Sequence, residues 1–416
     1  MTTPVRLQLF VRSGTILLFG SFVALLAGRF TFDRASASLP SFDLRLVMLY
    51  FLGLGFTLWY GASREYLSPR IKMAGLSLFV AWVSWLALSA AWAPAGARTL
   101  DTLLDLGLLC TFLLMGWALI GWLPREATSK LWTWTLVAGL IYFAGAMIEG
   151  PNGQGRYSAF GGGPNIFVRV MVLAAIAALS ISASRKKVWP LAAIPLFAVG
   201  AVLSGSRGGL VSAAIILALF AVPVARTLGA KKTVRLLILG GIGAALASAW
   251  SGAVIIKFIQ QRYIQQTVVE RYTSGRSSIT DQALNMYEQH PIVGVGLDGY
   301  YALQQGPSVF EYPHNLLLAT AAESGTIGAV ILVLVVFRFL LVVRKIRALP
   351  VTVLMATAAG SYLALASLFS GDYYDSRLMW LFFGFAVIEA VRPVAAPDKD
   401  AAVGRKSSPS APATSP

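Results

Sequence analysis

Charged residues are scarce in this sequence of 416 residues, because Asp, Glu, Lys and Arg together make up only 12% of the chain. A soluble domain carries roughly a quarter of its residues as charged side chains. Hydrophobic residues make up 57% of the chain and gather in long apolar runs. These runs are too long and too frequent for one soluble core. The composition therefore predicts an all-α polytopic membrane protein.

Cysteine and histidine are also scarce, with one cysteine and two histidines in the chain. The single Cys110 excludes an intrachain disulfide, and no cysteine cluster of the metal-binding kind occurs. Its expected role is that of a small core side chain. We predict neither a metal nor a cofactor. The first apolar run lacks a small-residue cleavage site followed by a soluble domain, so we expect a retained span rather than a signal peptide.

Apolar runs with the length of a transmembrane helix, about 20 residues, occur about twelve times. The predicted spans are 9–28, 44–62, 73–92, 102–123, 131–149, 165–184, 188–204, 209–225, 235–256, 315–341, 351–370 and 377–391. The chain is thus divided into nine spans within 1–256, a large periplasmic loop over 257–314, three spans within 315–392, and a tail over 393–416. The tail is rich in Ala, Pro, Ser and Lys and is predicted to be disordered in the cytoplasm.

Lysine and arginine are shared unevenly between the two sets of turns that connect these spans. One set, together with both tails, is short and basic, as in Arg185-Lys186-Lys187. The positive-inside rule assigns this set to the cytoplasm, and an even number of spans then puts both termini there. The net charge of +16 is explained mostly by topology. We therefore expect the lipid bilayer as a partner and no nucleic acid.

One connecting segment, at about 257–314, is long and falls on the outer side. Lys257 to Tyr272 is predicted to form an amphipathic helix. Ser277 or Ser278 is predicted to cap a second helix that ends near Gln289. A turn-rich stretch, His290-Pro291-Ile292-Val293-Gly294-Val295-Gly296, follows it.

A histidine lies where this outer loop is predicted to re-enter the membrane, in Tyr312-Pro313-His314-Asn315. Pro313 fixes the approach of the chain to the helix. His314 can accept a proton near neutral pH and is a candidate general base. The alternative is an interfacial histidine that only hydrogen-bonds a carbonyl. Glu323 lies nine residues later, roughly 13 Å deeper on the opposite face, so we expect it to serve helix packing instead.

Three other outer segments combine arginine with small residues, which let a ligand approach the backbone closely. They are Arg156 to Asn165 with Arg169 one turn beyond, Ser204-Gly205-Ser206-Arg207-Gly208-Gly209, and Gly275-Arg276-Ser277-Ser278. The guanidinium fork of arginine suits a phosphate, and a helix N-terminus at Arg276 would add free N–H groups. The alternative in each case is a turn or loop whose arginine is solvated, snorkels or forms a structural ion pair.

The last outer turn, Gly371 to Arg377, carries two carboxylates. Asp372 and Asp375 alone are a weak indication of a metal, and we expect them to pair with arginines or to bind sugar hydroxyls. Arg377 and Asn315 join Arg156, Asn165 and Arg169 as predicted contacts of a diphosphate or a sugar. Together the outer segments predict one face with several arginines and a histidine, which suits a pyrophosphate group.

These segments resemble those of the bacterial O-antigen ligase and O-antigen polymerase superfamily. The signature after its large periplasmic loop is similar to Pro313-His314-Asn315 with Glu323, Gly325 and Gly328. Its loop portion is similar to Gly275-Arg276 and 290–296. Ser206-Arg207-Gly208-Gly209 and Gly163-Pro164-Asn165 resemble its two upstream outer motifs. The resemblance covers about 150–330 by motif and the whole chain by topology.

The resemblance implies a metal-independent, inverting glycosyltransferase at the periplasmic face of the inner membrane. The donor would be a glycan on undecaprenyl diphosphate. The acceptor would be the lipid A-core in the ligase and another lipid-linked repeat unit in the polymerase. On this chain the resemblance implies His314 as the general base, with Arg207 and Arg276 holding the diphosphate.

A single large outer loop favours the ligase, because the polymerase pattern has two large periplasmic loops. The polymerase is the first alternative. A protein O-oligosaccharyltransferase, which usually has a longer C-terminal region, is a further one. A lipid-linked glycan transporter without catalysis is the alternative of another class. Such transporters usually place their sites near the midplane in interrupted helices, and the sequence gives no signal for such an interruption.

Overall fold

The computed structural model describes residues 3–34, 38, 40–67, 75–185, 187–235, 238, 260, 276–305, 312–344 and 349–392. Within these ranges the chain is helical and forms no strand. Two isolated β-bridges, Thr31 to Asp43 and Pro151 to Tyr157, each close a loop between helices. The all-α prediction is confirmed for this part of the chain.

The helices follow one another along the chain with short connections. They are α1 (Thr3–Ala27), α2 (Leu44–Ala62), α3 (Leu76–Leu88), α4 (Thr99–Trp122), α5 (Arg125–Thr128), α6 (Lys130–Glu149), α7 (Gly163–Arg185), α8 (Ile194–Leu203), α9 (Arg207–Leu228), α10 (Arg276–Gln289), α11 (Gly299–Leu303), α12 (Leu316–Arg344), α13 (Val351–Ser367) and α14 (Arg377–Val391). Short 3-10 turns extend α3 to Trp92 and precede α8 from Trp189.

Seven helices among the described residues are long and apolar enough to cross a membrane, by length and composition. They are α1, α2, α4, α5 with α6, α7, α9 and most of α12. Leu76–Trp92, Trp189–Leu203 and Val351–Ser367 are shorter apolar helices. Together with α14, these helices coincide with every predicted span except 235–256, apart from differences at their ends.

Three predictions lie outside the described residues: the span at 235–256, the amphipathic helix at Lys257 to Tyr272, and the disordered tail at 393–416. The total of about twelve spans therefore stays a prediction. The second loop helix, α10, ends at Gln289 as predicted. It begins at Arg276, so Ser277 and Ser278 lie inside it and do not cap it.

The C-terminal helices α13 and α14 lie in the middle of the bundle. Both are apolar on all sides, which is the pattern of a helix surrounded by other helices. Trp380 and Tyr362 have no exposed surface. Gly384 allows the indole of Trp117 to lie against the α14 backbone, since a Cβ atom there would fall 2.0 Å from the indole nitrogen. By contrast, α2 exposes Leu58 and Tyr50, as expected for a face turned to lipid.

Alternate connections share one end of the bundle. The end that we call the loop end is formed by 28–34, 40–43, 93–98, 150–162, 204–206, 290–305, 312–315 and 368–376. At the opposite end, Arg125 and Arg392 pair with Glu389 at 3.1 and 2.9 Å, and Lys232 donates to the carbonyl of Ser182. The turns predicted to be cytoplasmic lie at this opposite end, and the predicted site residues lie at the loop end.

Helix α12 is interrupted at Gly325, whose φ of 68° and ψ of −169° are not helical. Residues 291–296 lie along the interruption and form backbone hydrogen bonds with 322–327, an arrangement that we call the clasp. Its N–H to carbonyl bonds, 2.8–3.4 Å long, run from Val295 to Ala322, from Gly296 to Glu323, from Thr326 to Pro291 and from Ile327 to Ile292. The loop thus satisfies backbone groups that the broken helix leaves open.

Glycine makes the clasp sterically feasible. A Cβ atom on Gly325 would lie 2.1 Å from the Ile292 carbonyl oxygen, and one on Gly294 would lie 2.3 Å from the carbonyl carbon of Glu323. The two glycine-containing motifs of the sequence therefore fit against each other. The expectation that the spans lack an interruption is wrong for α12, because the loop supplies the hydrogen bonds that a lone span would lose.

Candidate functional site

The loop end brings together outer segments that are distant in sequence. Asn165, in the first turn of α7, accepts a hydrogen bond from the Ser206 hydroxyl at 2.8 Å. Its amide donates to the Ser370 hydroxyl at 3.0 Å. The Arg156 guanidinium donates to the Ser204 carbonyl at 2.9 Å. Two of the predicted arginine segments thus meet each other and the turn after α13.

Arg169 is buried within the bundle, with 5% of its surface exposed. Its guanidinium donates to the carbonyls of Ala366, at 3.2 Å, and Ser370. These carbonyls lie at the C-terminal end of α13, where the helix dipole favours a cation. A carbonyl dipole offsets a full positive charge less than a carboxylate does. Arg169 therefore leaves positive potential in this part of the loop end.

Arg207 is the first residue of α9 and is half-buried. The two glycines that follow bring the helix start into contact with its neighbours. A Cβ atom would lie 2.3 Å from Phe369 if placed on Gly208, and 2.4 Å from Val168 if placed on Gly209. The position of Arg207 is thus fixed by close packing of α9 on α7 and on the turn after α13.

Arg276 is the first residue of α10, and its side chain lies outside the part of the chain that the structure describes. The helix that it begins packs Ile279 and Ala283 against Ala322 of α12. This contact fixes the loop helix to the clasped segment of α12.

His314 lies two residues before α12 with a φ of 55°, in the left-handed region that few side chains other than glycine adopt. Its imidazole packs edge-on against Tyr312, with ring centroids 4.5 Å apart. Pro313 between them is buried. Asn315 caps the helix, since its Oδ1 accepts hydrogen bonds from the backbone N–H groups of Leu317 and Leu318, at 3.0 and 3.1 Å. The cap and the buried proline hold the histidine at the helix start.

Arg377 begins α14 and is 5% exposed. It donates to the carbonyls of Leu25 and Tyr374, and it pairs with Asp375 at 3.1 Å. Its contacts therefore tie the turn after α13 to the end of α1. The expected pairing of the turn's aspartates with arginines is observed for Asp375 here.

Glu323 is 4% exposed and lies in the clasped part of α12. Its carboxylate accepts the Tyr373 hydroxyl at 2.7 Å and the backbone N–H of Tyr300 at 3.4 Å. It thus joins α12 to α11 and to the turn after α13. These contacts agree with the packing role expected of Glu323.

A cavity of about 310 Å³ lies at the loop end. We call it the acidic cavity, because six of its lining residues carry a carboxyl group and three are arginines. They are Asp43, Asp101, Asp105, Asp298, Glu323, Asp372, Arg29, Arg45 and Arg98. Tyr312, Tyr373 and Tyr374 also line it. The sequence had singled out only Glu323 and Asp372 among the charged residues.

Ion pairs engage each arginine that lines the acidic cavity. The pairs are Arg29 with Asp105 and Asp372 at 2.5 and 2.6 Å, Arg45 with Asp43 and Asp105 at 2.5 Å each, and Arg98 with Asp298 at 3.2 Å. The guanidinium groups of Arg29 and Arg45 also lie 5.4 and 4.6 Å from the centroid of the Tyr374 ring. These contacts join α1, α2, α4 and the turn after α13.

The two carboxyl groups of the last outer turn have different surroundings. Burial raises the pKa of the Asp372 carboxyl, and Arg29 offsets only part of that effect. Burial acts in the same direction on Asp375, but the nearby Arg377, Arg169 and Arg29 outweigh it and lower the pKa of that carboxyl. Asp375 is therefore held as an anion between arginines.

The tyrosines of the acidic cavity stay in their neutral form. Burial raises the pKa of the Tyr312 phenol, and Asp375 and Asp372 add to the effect. Burial likewise raises the pKa of the Tyr373 phenol. Both hydroxyls therefore remain hydrogen-bond donors at neutral pH.

The predicted site residues and the lining of the acidic cavity are different sets. None of those whose side chains the structure describes is part of its lining. One signal in the sequence points to the cavity: Asp101 and Asp105 are four residues apart at the start of a predicted span, and carboxylates near a membrane need partners. Their partner Arg45 comes from a different span, and no sequence pattern pairs the two.

Comparison with known families agrees with the motifs. The family model described as O-antigen ligase matches residues 191–333. This region contains Arg207, Arg276, His314 and both halves of the clasp. A search of curated proteins finds no match. The resemblance drawn from the outer motifs is confirmed by this match, which makes residues 191–333 similar to the O-antigen ligase family.

Proposed function

We propose that this protein is an O-antigen ligase that transfers a glycan from undecaprenyl diphosphate to the lipid A-core. Transfer takes place without a metal and with inversion, at the periplasmic face of the inner membrane, and both termini are cytoplasmic. The match of residues 191–333 to the O-antigen ligase model supports ligase or polymerase chemistry. The observation that carries the proposal is the link between His314 and two buried arginines through one aromatic side chain. Tyr312, which contacts His314, lies within electrostatic reach of Arg169 and Arg29.

His314 is proposed to act as the general base. Its imidazole takes the proton of an acceptor hydroxyl as that oxygen attacks the anomeric carbon of the donor sugar. The bond from the anomeric carbon to the diphosphate oxygen breaks on the opposite face, and the lipid diphosphate leaves as an anion. The left-handed backbone at His314 is a strained conformation of the kind found at functional sites.

Arginines are proposed to hold the diphosphate and to stabilise its charge as it leaves. Arg207 and Arg276 are the main candidates, with Arg156 and Arg169 beside them. Arg169 supports this role because carbonyls, those of Ala366 and Ser370, accept its hydrogen bonds. Asn165 and Asn315 remain proposed sugar contacts, and Arg377 is proposed to act by fixing the turn beside them.

A transporter without catalysis is a weaker proposal, although α12 is interrupted. In transporters, the open backbone groups of a broken helix bind the substrate or its ions. Here the clasp takes up the carbonyls of Ala322 and Glu323, and the indole of Trp85 donates to the carbonyl of Ser324 at 2.9 Å. The interruption is thus used for internal packing.

The test is transfer by the purified full-length protein in lipid nanodiscs. It would be given a glycan on undecaprenyl diphosphate and lipid A-core, with and without a chelator. Core that gains the glycan in both conditions supports the proposal. Longer lipid-linked chains would point to the polymerase. Movement of the donor across vesicles with no product would contradict catalysis.

Arg207→Lys tests the diphosphate role within the same assay. Lysine keeps the charge but loses the planar donor fork. We expect a higher KM for the donor and an unchanged KM for the acceptor. Arg226→Lys, at the opposite end of the bundle, is the matched control and should behave as the unmodified protein does.

A further inference from the structure

Two sets of arginines at the loop end differ in the partners that the structure describes for them. Arg156 and Arg169 donate to backbone carbonyls. The three arginines of the acidic cavity instead pair with carboxylates. Arg169 therefore carries positive charge that these carbonyls do not cancel, although Asp375 lies within electrostatic reach of it. The second set is neutralised.

The acidic cavity is a poor place for the diphosphate of the donor. Its carboxyl groups outnumber its guanidinium groups two to one. A second anion would be repelled by the carboxylates and would have to displace their ion pairs. A divalent cation fits no better, because the arginines repel it. No group of three acidic, histidine or cysteine residues placed to hold a metal occurs among the described residues.

An uncharged ligand rich in hydroxyl groups suits this lining. Each carboxylate offers several acceptor positions to hydroxyl donors, and guanidinium and phenol groups offer donors to hydroxyl oxygens. Tyr374 lines the cavity, and its buried hydroxyl has no hydrogen-bond partner within the described part of the chain. A volume of about 310 Å³ falls at the lower end of the range for small-ligand sites. These are the properties of a site for one or two sugar rings.

The cavity also lies beside the proposed base. Tyr312 contributes to its lining, and the same ring contacts the imidazole of His314. A saccharide in the cavity would therefore be separated from His314 by a single aromatic side chain.

We propose that the acidic cavity binds the acceptor saccharide, while the carbonyl-bound arginines bind the diphosphate of the donor. That the bound saccharide is the acceptor rests on the proposed function. The division of the loop end by charge holds for a ligase and for a polymerase, since both take a sugar hydroxyl as nucleophile.

The test measures binding to the full-length protein in nanodiscs, separately from turnover. The probes are an uncharged oligosaccharide of the hexoses at the outer end of the core, freed of lipid, and inorganic pyrophosphate. Asp101→Asn and Tyr374→Phe remove one charge and one hydroxyl from the lining with little change in shape. Asp33→Asn is the matched control, because Asp33 is exposed at the same end and does not line the cavity. Thermal unfolding of each variant checks folding, and exposed Asp101 carries the test if Tyr374→Phe does not fold.

We expect Asp101→Asn and Tyr374→Phe to weaken saccharide binding by about tenfold and to leave pyrophosphate binding unchanged. Arg207→Lys should weaken pyrophosphate binding and leave saccharide binding unchanged. The inference would be overturned if the cavity variants lost affinity for both probes equally, or if their affinity for the saccharide were unchanged. It would also be overturned if the unmodified protein did not bind the saccharide. If selective binding is found but no glycan is transferred, the inference stands and the proposed function fails. If transfer occurs with normal saccharide binding by the cavity variants, only the inference fails.

Discussion

At the scale of single residues, the partner of each arginine decides how much charge it can offer to a ligand. Arg29 is held by two carboxylates, whereas Arg169 is held by carbonyls. Both are arginines near the loop end, and the sequence gives no reason to separate them. His314 is distinguished in another way, by its backbone conformation between Pro313 and the helix cap at Asn315.

His314→Asn should abolish transfer while preserving the fold. Asparagine tolerates the left-handed conformation better than most residues, and its amide cannot accept a proton as imidazole does. We expect transfer to fall by about 10²–10⁴-fold, the usual contribution of a general base, with an unchanged unfolding temperature. The initial rate of core glycosylation is the measurement.

His290→Asn is the control for that change, since His290 is the other histidine of the chain and is exposed. Its rate should stay close to that of the unmodified protein. A His314→Asn protein that transfers glycan at the normal rate would exclude the histidine as base.

Tyr373→Phe should lower stability, because it removes the hydrogen bond that the buried Glu323 accepts at 2.7 Å. Leaving a buried acceptor with a lost partner costs about 1–3 kcal/mol of unfolding free energy. Denaturation in detergent would measure it. Tyr362→Phe is the comparison, since its hydroxyl makes a longer bond, 3.4 Å, to the Val168 carbonyl. If both variants lost the same unfolding free energy, the hydrogen bond to Glu323 would stabilise the protein no more than the bond from Tyr362 to Val168 does.

At the scale of elements, the clasp determines how the outer loop meets the bundle. Residues 291–296 and 322–327 each provide donors and acceptors for the other. Neither half of the clasp is regular secondary structure by itself, because residues 291–296 belong to no helix or strand and α12 is broken at Gly325. The position of α10 and α11 over the site therefore depends on backbone pairing as much as on apolar contact.

Gly325→Ala should disrupt the clasp. The φ and ψ of Gly325 lie in a region that is almost confined to glycine, at a cost of about 1–3 kcal/mol for other residues. The new methyl group would also overlap the Ile292 carbonyl. We expect a clear fall in unfolding temperature and faster proteolysis of the outer loop.

Gly107→Ala provides the matched control within α4, where a Cβ atom meets nothing within 4 Å. Alanine is the better helix former by about 0.5–1 kcal/mol, so stability should stay equal or rise. If Gly325→Ala is as stable as Gly107→Ala, the clasp does not hold the loop.

At the scale of the whole molecule, the two ends of the bundle differ in chemistry. The loop end gathers aspartates, arginines, asparagine and histidine from many segments. The opposite end carries the basic turns and the cluster of Arg125, Glu389 and Arg392. This separation is what the positive-inside rule predicts for a protein whose site faces away from the cytoplasm.

A labelling experiment in spheroplasts tests that orientation. In a Cys110→Ala background, Gly153→Cys places an exposed thiol at the loop end, and Lys187→Cys places one at the opposite end. A membrane-impermeant maleimide should label only the first before lysis and both after it. Labelling of Lys187→Cys alone in intact cells would reverse the proposed topology.

Much of the helical framework could be predicted from the sequence, because apolar runs of about 20 residues leave few options in lipid. The described helices coincide with the predicted spans, and the second loop helix ends at Gln289. The interruption of α12 was not predicted, since its stability comes from a loop some thirty residues earlier.

Only part of the site could be predicted from the sequence, for a related reason. Motifs with arginine, glycine and histidine are local, so they could be read directly from the sequence. The acidic cavity is assembled from residues on six segments, as the pairing of Arg45 on α2 with Asp105 on α4 illustrates. Only packing shows that these carboxylates neutralise the arginines beside them.

The clasp also determines where homologous sequences can carry insertions and deletions. An inserted residue within 291–296 would shift the pairing by one position and put a side chain where Gly294 has no room for one. Insertions and deletions among homologues should therefore avoid both halves of the clasp. An alignment of related sequences would then show these two segments at constant length, whatever the length of the loop around them.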